Sequence, residues 1–149
     1  MADLKVTTSD AVTLTGRQYG NTHETTISGV NNVVHTVTVV PNATAFEVFG
    51  FGSTLQGFSS FVASDLKYLR FTNTDSNHPV FLTISFDDGS PTAPDGRSNL
   101  EIPAGCSFVA FAGEHKASSS AVFSLDNMYR INARATGGDV TMDMFIATA

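Results

Sequence analysis

Apolar and polar residues alternate in short runs along this chain, and no stretch holds a 3.6-residue apolar period for three turns. Runs rich in Val, Ile, Thr and Phe recur between clusters of Gly, Pro, Asn, Asp and Ser, which predicts an all-β chain. From the amino end, Ala11 to Thr15, Glu24 to Ser28 and Val33 to Val40 read as strands, with turns at Arg17 to Asn21 and Gly29 to Asn32. Pro41 ends the third run, because it has no N–H to continue a ladder. Thr44 to Phe51 carries apolar groups on both faces, as an inner strand or a contact surface does. Gly52 to Ser60 reads as a loop whose Leu55 and Phe58, with Phe61, tuck under the sheet edge.

The clearest alternation lies in the middle. Leu66 to Asn73 and Pro79 to Asp87 are two runs separated by the polar stretch from Asn73 to Asn77, and they predict neighbouring antiparallel strands. The longest loop follows, from Asp88 to Gly96, with two Pro and two Gly. Asn99 to Pro103 and Ser107 to Ala112 bracket the tight turn at Pro103 to Gly105. Gly113 to Ser120 reads as a polar loop and Ala121 to Leu125 as a short strand. Asn127 to Thr136 and the row Val140, Met142, Met144 and Ile146 flank Gly137-Gly138-Asp139, a hairpin signal.

About eight to ten antiparallel strands are enough for two packed sheets, so the expected architecture is one β-sandwich of jelly-roll type. Residues 10–149 form that domain, and residues 1–9, ahead of the first strand run, are expected to extend as an arm. No internal repeat and no long linker interrupts the chain of 149 residues, a length that suits one domain.

Composition narrows the function classes. Eight basic against 14 acidic side chains give a net charge of −6, which offers nothing to a phosphate backbone, so no nucleic acid is expected as a partner. Charged residues make up 15% of the chain, against about 25% in ordinary soluble domains, and that poverty points to a surface partly covered by other subunits. The 12 Phe residues include a cluster at Phe46, Phe49, Phe51, Phe58 and Phe61 that reads either as core or as a subunit interface. Leu4 and Val6 in the arm, with Phe49, Phe51, Leu55, Phe58 and Phe61, are the expected interface residues. No window is apolar for the length of a signal core or a membrane span, so the expectation is a protein assembled in a cytoplasm, with no membrane partner.

Candidate chemistry is sparse, and no catalytic residue, metal or cofactor is expected. His23 and His35 fall on separate runs with no third ligand nearby; His78 precedes Pro79 in a turn, and His115 lies in a loop. Asp87, Asp88 and Asp95 flank the long loop and would suit calcium by their chemistry, but their order is not that of an EF-hand and turn formation is the plainer role. Cys106, the sole cysteine, precludes an intrachain disulfide and reads as a small buried apolar residue. Neither a nucleophile elbow nor a phosphate-binding glycine loop is present, and there is no Trp to stack on a sugar.

The runs Tyr68-Leu-Arg-Phe-Thr-Asn-Thr-Asp75, Pro79-Val-Phe-Leu-Thr-Ile84 and Leu100-Glu-Ile-Pro-Ala-Gly105-Cys-Ser-Phe108 resemble small β-sandwich virion proteins of tailed bacteriophages. There a strand ending in an Asn-Thr-Asp-like turn pairs with an apolar strand, and a Leu-x-Ile-Pro-x-Gly turn leads into the next. The resemblance covers about a third of the chain and brings no catalytic residues. It implies a non-enzymatic capsid decoration or cement protein on the outer surface of the virion, associating with itself as a homotrimer and with the major capsid protein. Alternatives are a tail, fibre or neck component, or a receptor- or glycan-binding module using the loops at Asp87 to Arg97 and Gly113 to Ser120.

Overall fold

The computed structural model of the chain describes residues 1–52, 60–86, 96–112, 114–118, 121–124 and 128–149; residues 51, 52, 60, 61, 63, 114–118 and 121–124 are described by their backbone alone. The fold is all-β. Its sandwich has a four-stranded sheet in the order β11 (Ser107–Phe111), β8 (Leu66–Asn73), β15 (Val140–Thr148), β5 (Asn32–Val40). Facing it is a five-stranded sheet in the order β10 (Gly96–Ile102), β9 (Val80–Phe86), β14 (Met128–Ala135), β6 (Phe46–Gly52), β7 (Ser60–Val62). All pairs are antiparallel except β6 with β7.

Period-two alternation supplies the core. Leu69 and Phe71 of β8, Met142, Met144 and Ile146 of β15, Leu82 and Ile84 of β9, and Ile131 and Ala133 of β14 are all buried between the sheets. A β-bulge explains why β6 looks apolar on both faces. Ile131 pairs with Phe49 but Asn132 with Glu47, so Val48 is the extra residue, and Phe46 and Phe49 reach the same core three positions apart. Phe49 lies against Phe71 with ring centroids 6.0 Å apart.

Among the described residues, five links between consecutive strands cross between the sheets rather than forming hairpins: β5 to β6, β7 to β8, β8 to β9, β10 to β11 and β14 to β15. That alternation is the jelly-roll connectivity. It corrects two sequence expectations, since neither the runs flanking Asn73 to Asn77 nor those flanking Gly137-Gly138-Asp139 pair with each other. A link of six residues after Asn73 reaches across the roughly 10 Å between sheets, and strands that bury the same faces satisfy the alternation whether they pair or oppose.

The crossing links are locked together. Buried Asn73 donates from Nδ2 to the carbonyls of His78 (2.8 Å) and Ile102 (3.1 Å), tying two links. Asp75 Oδ1 accepts from the backbone N–H of Asn77 (2.7 Å) and His78 (2.8 Å), and these bonds hold its carboxyl below the ordinary carboxylate range. Asn42 donates its N–H to Asp139 and accepts from the N–H of Gly137. Gly137 is at φ 96°, and a Cβ there would lie 2.6 Å from the His78 ring, so this link requires glycine.

Other boundaries differ from the sequence reading. Glu114 to Ser118, expected as loop, is strand β12 (Glu114–Ser118) paired with β13 (Ala121–Ser124). Cys106 is exposed in the turn before β11, not buried, because its N–H closes that turn on the Pro103 carbonyl at 3.1 Å. Asp87, Asp88 and Asp95, with Leu55 and Phe58, lie outside the described residues.

Candidate assembly interface

Residues 2–30 belong to neither sheet of the sandwich and form a two-stranded ribbon of β1 (Ala2–Ser9) and β4 (Thr22–Val30), capped by the hairpin β2 (Val12–Leu14) and β3 (Arg17–Tyr19). Residues 2–9 are therefore a paired strand, and the projecting element continues to Val30. Its register runs from Leu4 opposite Ile27 to Ser9 opposite Thr22. Lys5 bonds Glu24 at 3.0 Å on the exposed side. The tip turn is Thr15-Gly16, with φ of 49° and 77°, the two positive values of a type I′ turn. Arg17 to Tyr19, expected as turn, is thus a strand. Thr lacks the usual signature of that turn and is a β-branched residue in a region it avoids, which hides the turn from a composition reading. At the base of the tip, a Cβ on Gly20 would collide with the Asp10 carbonyl, so only glycine allows the two strands to come this close.

Little of the ribbon is buried. One side of its lower half docks on the outer face of the four-stranded sheet, where Leu4, Val6, Ile27 and Val30 meet Tyr68, Phe111, Phe145 and Ala147. Tyr68 is the centre of this second apolar cluster, edge-on to Phe111 (5.4 Å) and Phe145 (5.9 Å). Burial pushes its phenol above the ordinary value, with the Arg70 guanidinium pulling the other way. A cleft of about 440 Å³ remains between ribbon and sheet, lined by Leu4, Val6, Tyr68, Arg70, Val109 and Phe111.

The same face carries a polar relay beside the aromatic one. Asp143 Oδ1 is 2.8 Å from His35 Nε2, and its Oδ2 accepts from Arg70 at 3.5 Å. Arg70 lies over the Phe145 ring at 5.8 Å, and His35 tilts against the same ring at 6.0 Å. Beyond this cluster the face is exposed along β5. Val33, Val37 and Val39 of β5 are 46%, 60% and 58% exposed, and Val12, Leu14 and Tyr19 are exposed at the ribbon tip.

The structure separates the seven expected interface residues. Leu4 and Val6 are half-buried under the ribbon. Phe49, at 5% exposure, is core and corrects the expectation, because the β6 bulge turns it inward. Phe51 and Phe61 pair by backbone across β6 and β7, and their side chains, with all of Leu55 and Phe58, are outside the described residues. The sequence reading passed over Tyr68, Phe145 and the β5 valines. Their signal was present as apolar residues on the second face of strands whose first face was already apolar.

Among the described residues, no group of three or more His, Cys, Asp or Glu is placed to hold a metal ion. His78 packs on Gly137 and Gly138 within the crossing links, and His23 pairs with Thr8 in the ribbon. No described helix is long and apolar enough to cross a membrane.

No family model matches the chain, and no curated protein matches its sequence. Among solved structures it is similar to a protein of Bacillus endospore appendages, described as a novel family of disulfide-linked pili. The two share 11% identity, over 78% of this chain and 89% of that one, with a TM-score of 0.36.

Proposed function

We propose that this chain is a non-enzymatic structural subunit of a tailed-phage virion, a decoration or cement protein that seats on the assembled shell through its N-terminal ribbon. The observation that carries this reading is the ribbon itself. Nearly 30 residues form a projecting two-stranded element, mostly exposed, with Val12, Leu14 and Tyr19 presented at its tip. An isolated two-stranded ribbon is marginal in water, and only the lower half of this one docks on its own sheet, which leaves the tip to meet a partner. A net charge of −6 suits the outside of a DNA-filled shell and disfavours its contents. Binding to the assembled shell alone stabilises that state by mass action.

Immunogold labelling of purified particles of the phage that encodes this chain tests the reading. Label distributed over the heads is the expected result, together with particles that lose resistance to heat or osmotic shock when the gene is deleted. Particles without label, or deletion mutants of unchanged resistance, overturn the cement role. A chain with Val12, Leu14 and Tyr19 all changed to Ser should keep the melting transition of the sandwich and lose its place on the particle.

A further inference from the structure

We propose that β5 is a joint between two copies of this chain: the strand pairs antiparallel with the same strand of a second copy about a two-fold axis through Thr36, turning two four-stranded sheets into one of eight strands. This rests on the reading of the chain as an assembly subunit, and it uses a surface other than the ribbon tip. The strand lies at the edge of its sheet, bonded to β15 in unbroken register from Val140 opposite Val40 to Thr148 opposite Asn32. Alternate N–H and C=O groups along nine residues therefore face away from the sheet.

Edge strands are normally blunted by charge, proline, bulges, shortness or a cover. The other edges of the sandwich follow this rule. Strand β7 has three residues, β10 carries Arg97 and Glu101, and β11 has five, with Val109 and Phe111 lining the cleft beneath the ribbon. Among the described residues, strand β5 has none of these devices. Asn32-Val-Val-His-Thr-Val-Thr-Val-Val40 contains no Asp, Glu, Lys, Arg or Pro, it has no bulge, and its outer row of Val33, Val37 and Val39 is exposed.

The occupant follows from the order and charge of these residues. Thr36 is the middle of the nine residues, so an antiparallel two-fold about it overlaps the two strands along their whole length and sets Val33 opposite Val39 of the second copy, Val34 opposite Thr38, His35 opposite Val37, and Thr36 opposite itself. Val and Thr suit a pleated surface, a Thr–Thr pair is among the favourable cross-strand pairs, and every pair off the axis is made twice, as an isologous interface requires. The strip also carries no Asp, Glu, Lys or Arg to repel its own copy. Two chains of net charge −6 repel over most of their surface, whereas this strand opposes no like charges, and its one ionisable group, His35, is already bonded to Asp143. An acidic or basic peptide would find no counter-charge on it.

Cysteine cross-linking tests the register. In a Cys106→Ser background, which removes the sole native thiol, Thr36→Cys places two thiols across the axis, where paired Cα atoms fall within the roughly 4.4–6.8 Å span of a disulfide. Mild oxidation should link nearly all of it as dimer. Thr38→Cys in the same background sits two residues off the axis and should stay unlinked. The wild-type chain should sediment as a dimer, and Val37→Lys should weaken that dimer by at least about tenfold while the monomer stays folded by circular dichroism, by setting two ammonium groups diagonally across the seam. A wild-type monomer at all concentrations, or equal cross-linking at both positions, overturns the joint. A monomer that still labels phage heads would sink this inference and leave the decoration role standing; a cross-linked dimer absent from particles would do the reverse.

Discussion

The two outer faces of the sandwich share one core and differ in almost everything else. On the five-stranded sheet the outward row is polar: Thr83 donates to Asn99 at 2.9 Å, Arg130 lies 3.8 Å from Glu47, and Arg134 covers the Phe81 ring. On the four-stranded sheet the outward row is Tyr68, Phe111, Phe145 and the β5 valines around the relay of His35, Asp143 and Arg70, partly roofed by the ribbon. The inward rows are equally apolar in both sheets. What distinguishes the faces is thus the second residue of each alternating pair, and the low charge of the chain is concentrated in its consequences on one side of the molecule.

The sharpest way to break this contrast is at Tyr68. Buried between ribbon and sheet, it should cost about 3 kcal/mol when changed to Ala, and the loss should extend beyond stability. With the platform gone, the ribbon becomes the first site cut in limited proteolysis, while the sandwich resists. The phenol adds a pH signature. Because burial raises its folded value, the neutral form favours the folded state, so its contribution is intact below the ordinary phenol value of about 10 and is lost as the pH rises through the raised value. Denaturation midpoints of the native chain should fall as the pH rises above about 10, and Tyr68→Phe should flatten that fall.

The sequence made the inner half of this comparison readable and left the outer half largely closed. Leu82, Ile84, Met142, Met144 and Ile146 announce the core by strict alternation, and β8 was bounded to the residue. Which strands pair was not accessible, because Asn73 to Pro79 and Thr136 to Asp139 look like hairpin turns until it is known that they span two sheets. Leu4 and Val6 were visible as apolar arm residues, but their partner Tyr68 lies more than 60 positions away. The β6 bulge defeated a period-two reading at Phe49, since one inserted residue reverses every later face.

A smaller effect is expected at Asp143, which joins the polar relay of the apolar face. It holds both His35 and Arg70, and it is only a quarter exposed. Asp143→Asn keeps the shape but leaves the guanidinium with a neutral acceptor, at a cost of about 1.5 kcal/mol by chemical denaturation. The variant also tests whether the relay fixes the face. If Arg70 and His35 owe their positions to Asp143, the Phe145 ring loses two of its neighbours, and the amide N–H groups of β5 should exchange faster than in the parent. Unchanged exchange along β5 would mean that the backbone register with β15 alone holds this edge.

The finest test uses a matched pair. Arg70 and Arg134 each sit 5.8 Å from an aromatic ring, Phe145 on one face and Phe81 on the other, so their ring contacts are geometrically alike. Their surroundings are not: Arg134 is exposed, whereas Arg70 is partly covered and bonded to Asp143. An exposed cation–π contact contributes about 0.5 kcal/mol, and Arg134→Met, which keeps the apolar stem, should cost no more than that. Arg70→Met loses the same contact where solvent screens it less and also leaves Asp143 Oδ2 without its cationic donor, so it should cost about 1 kcal/mol more. The difference between the two losses measures the environment of the faces with the ring geometry held constant. Equal losses would mean that the apolar face is as well solvated as the polar one, and the contrast between them would then reside in shape alone.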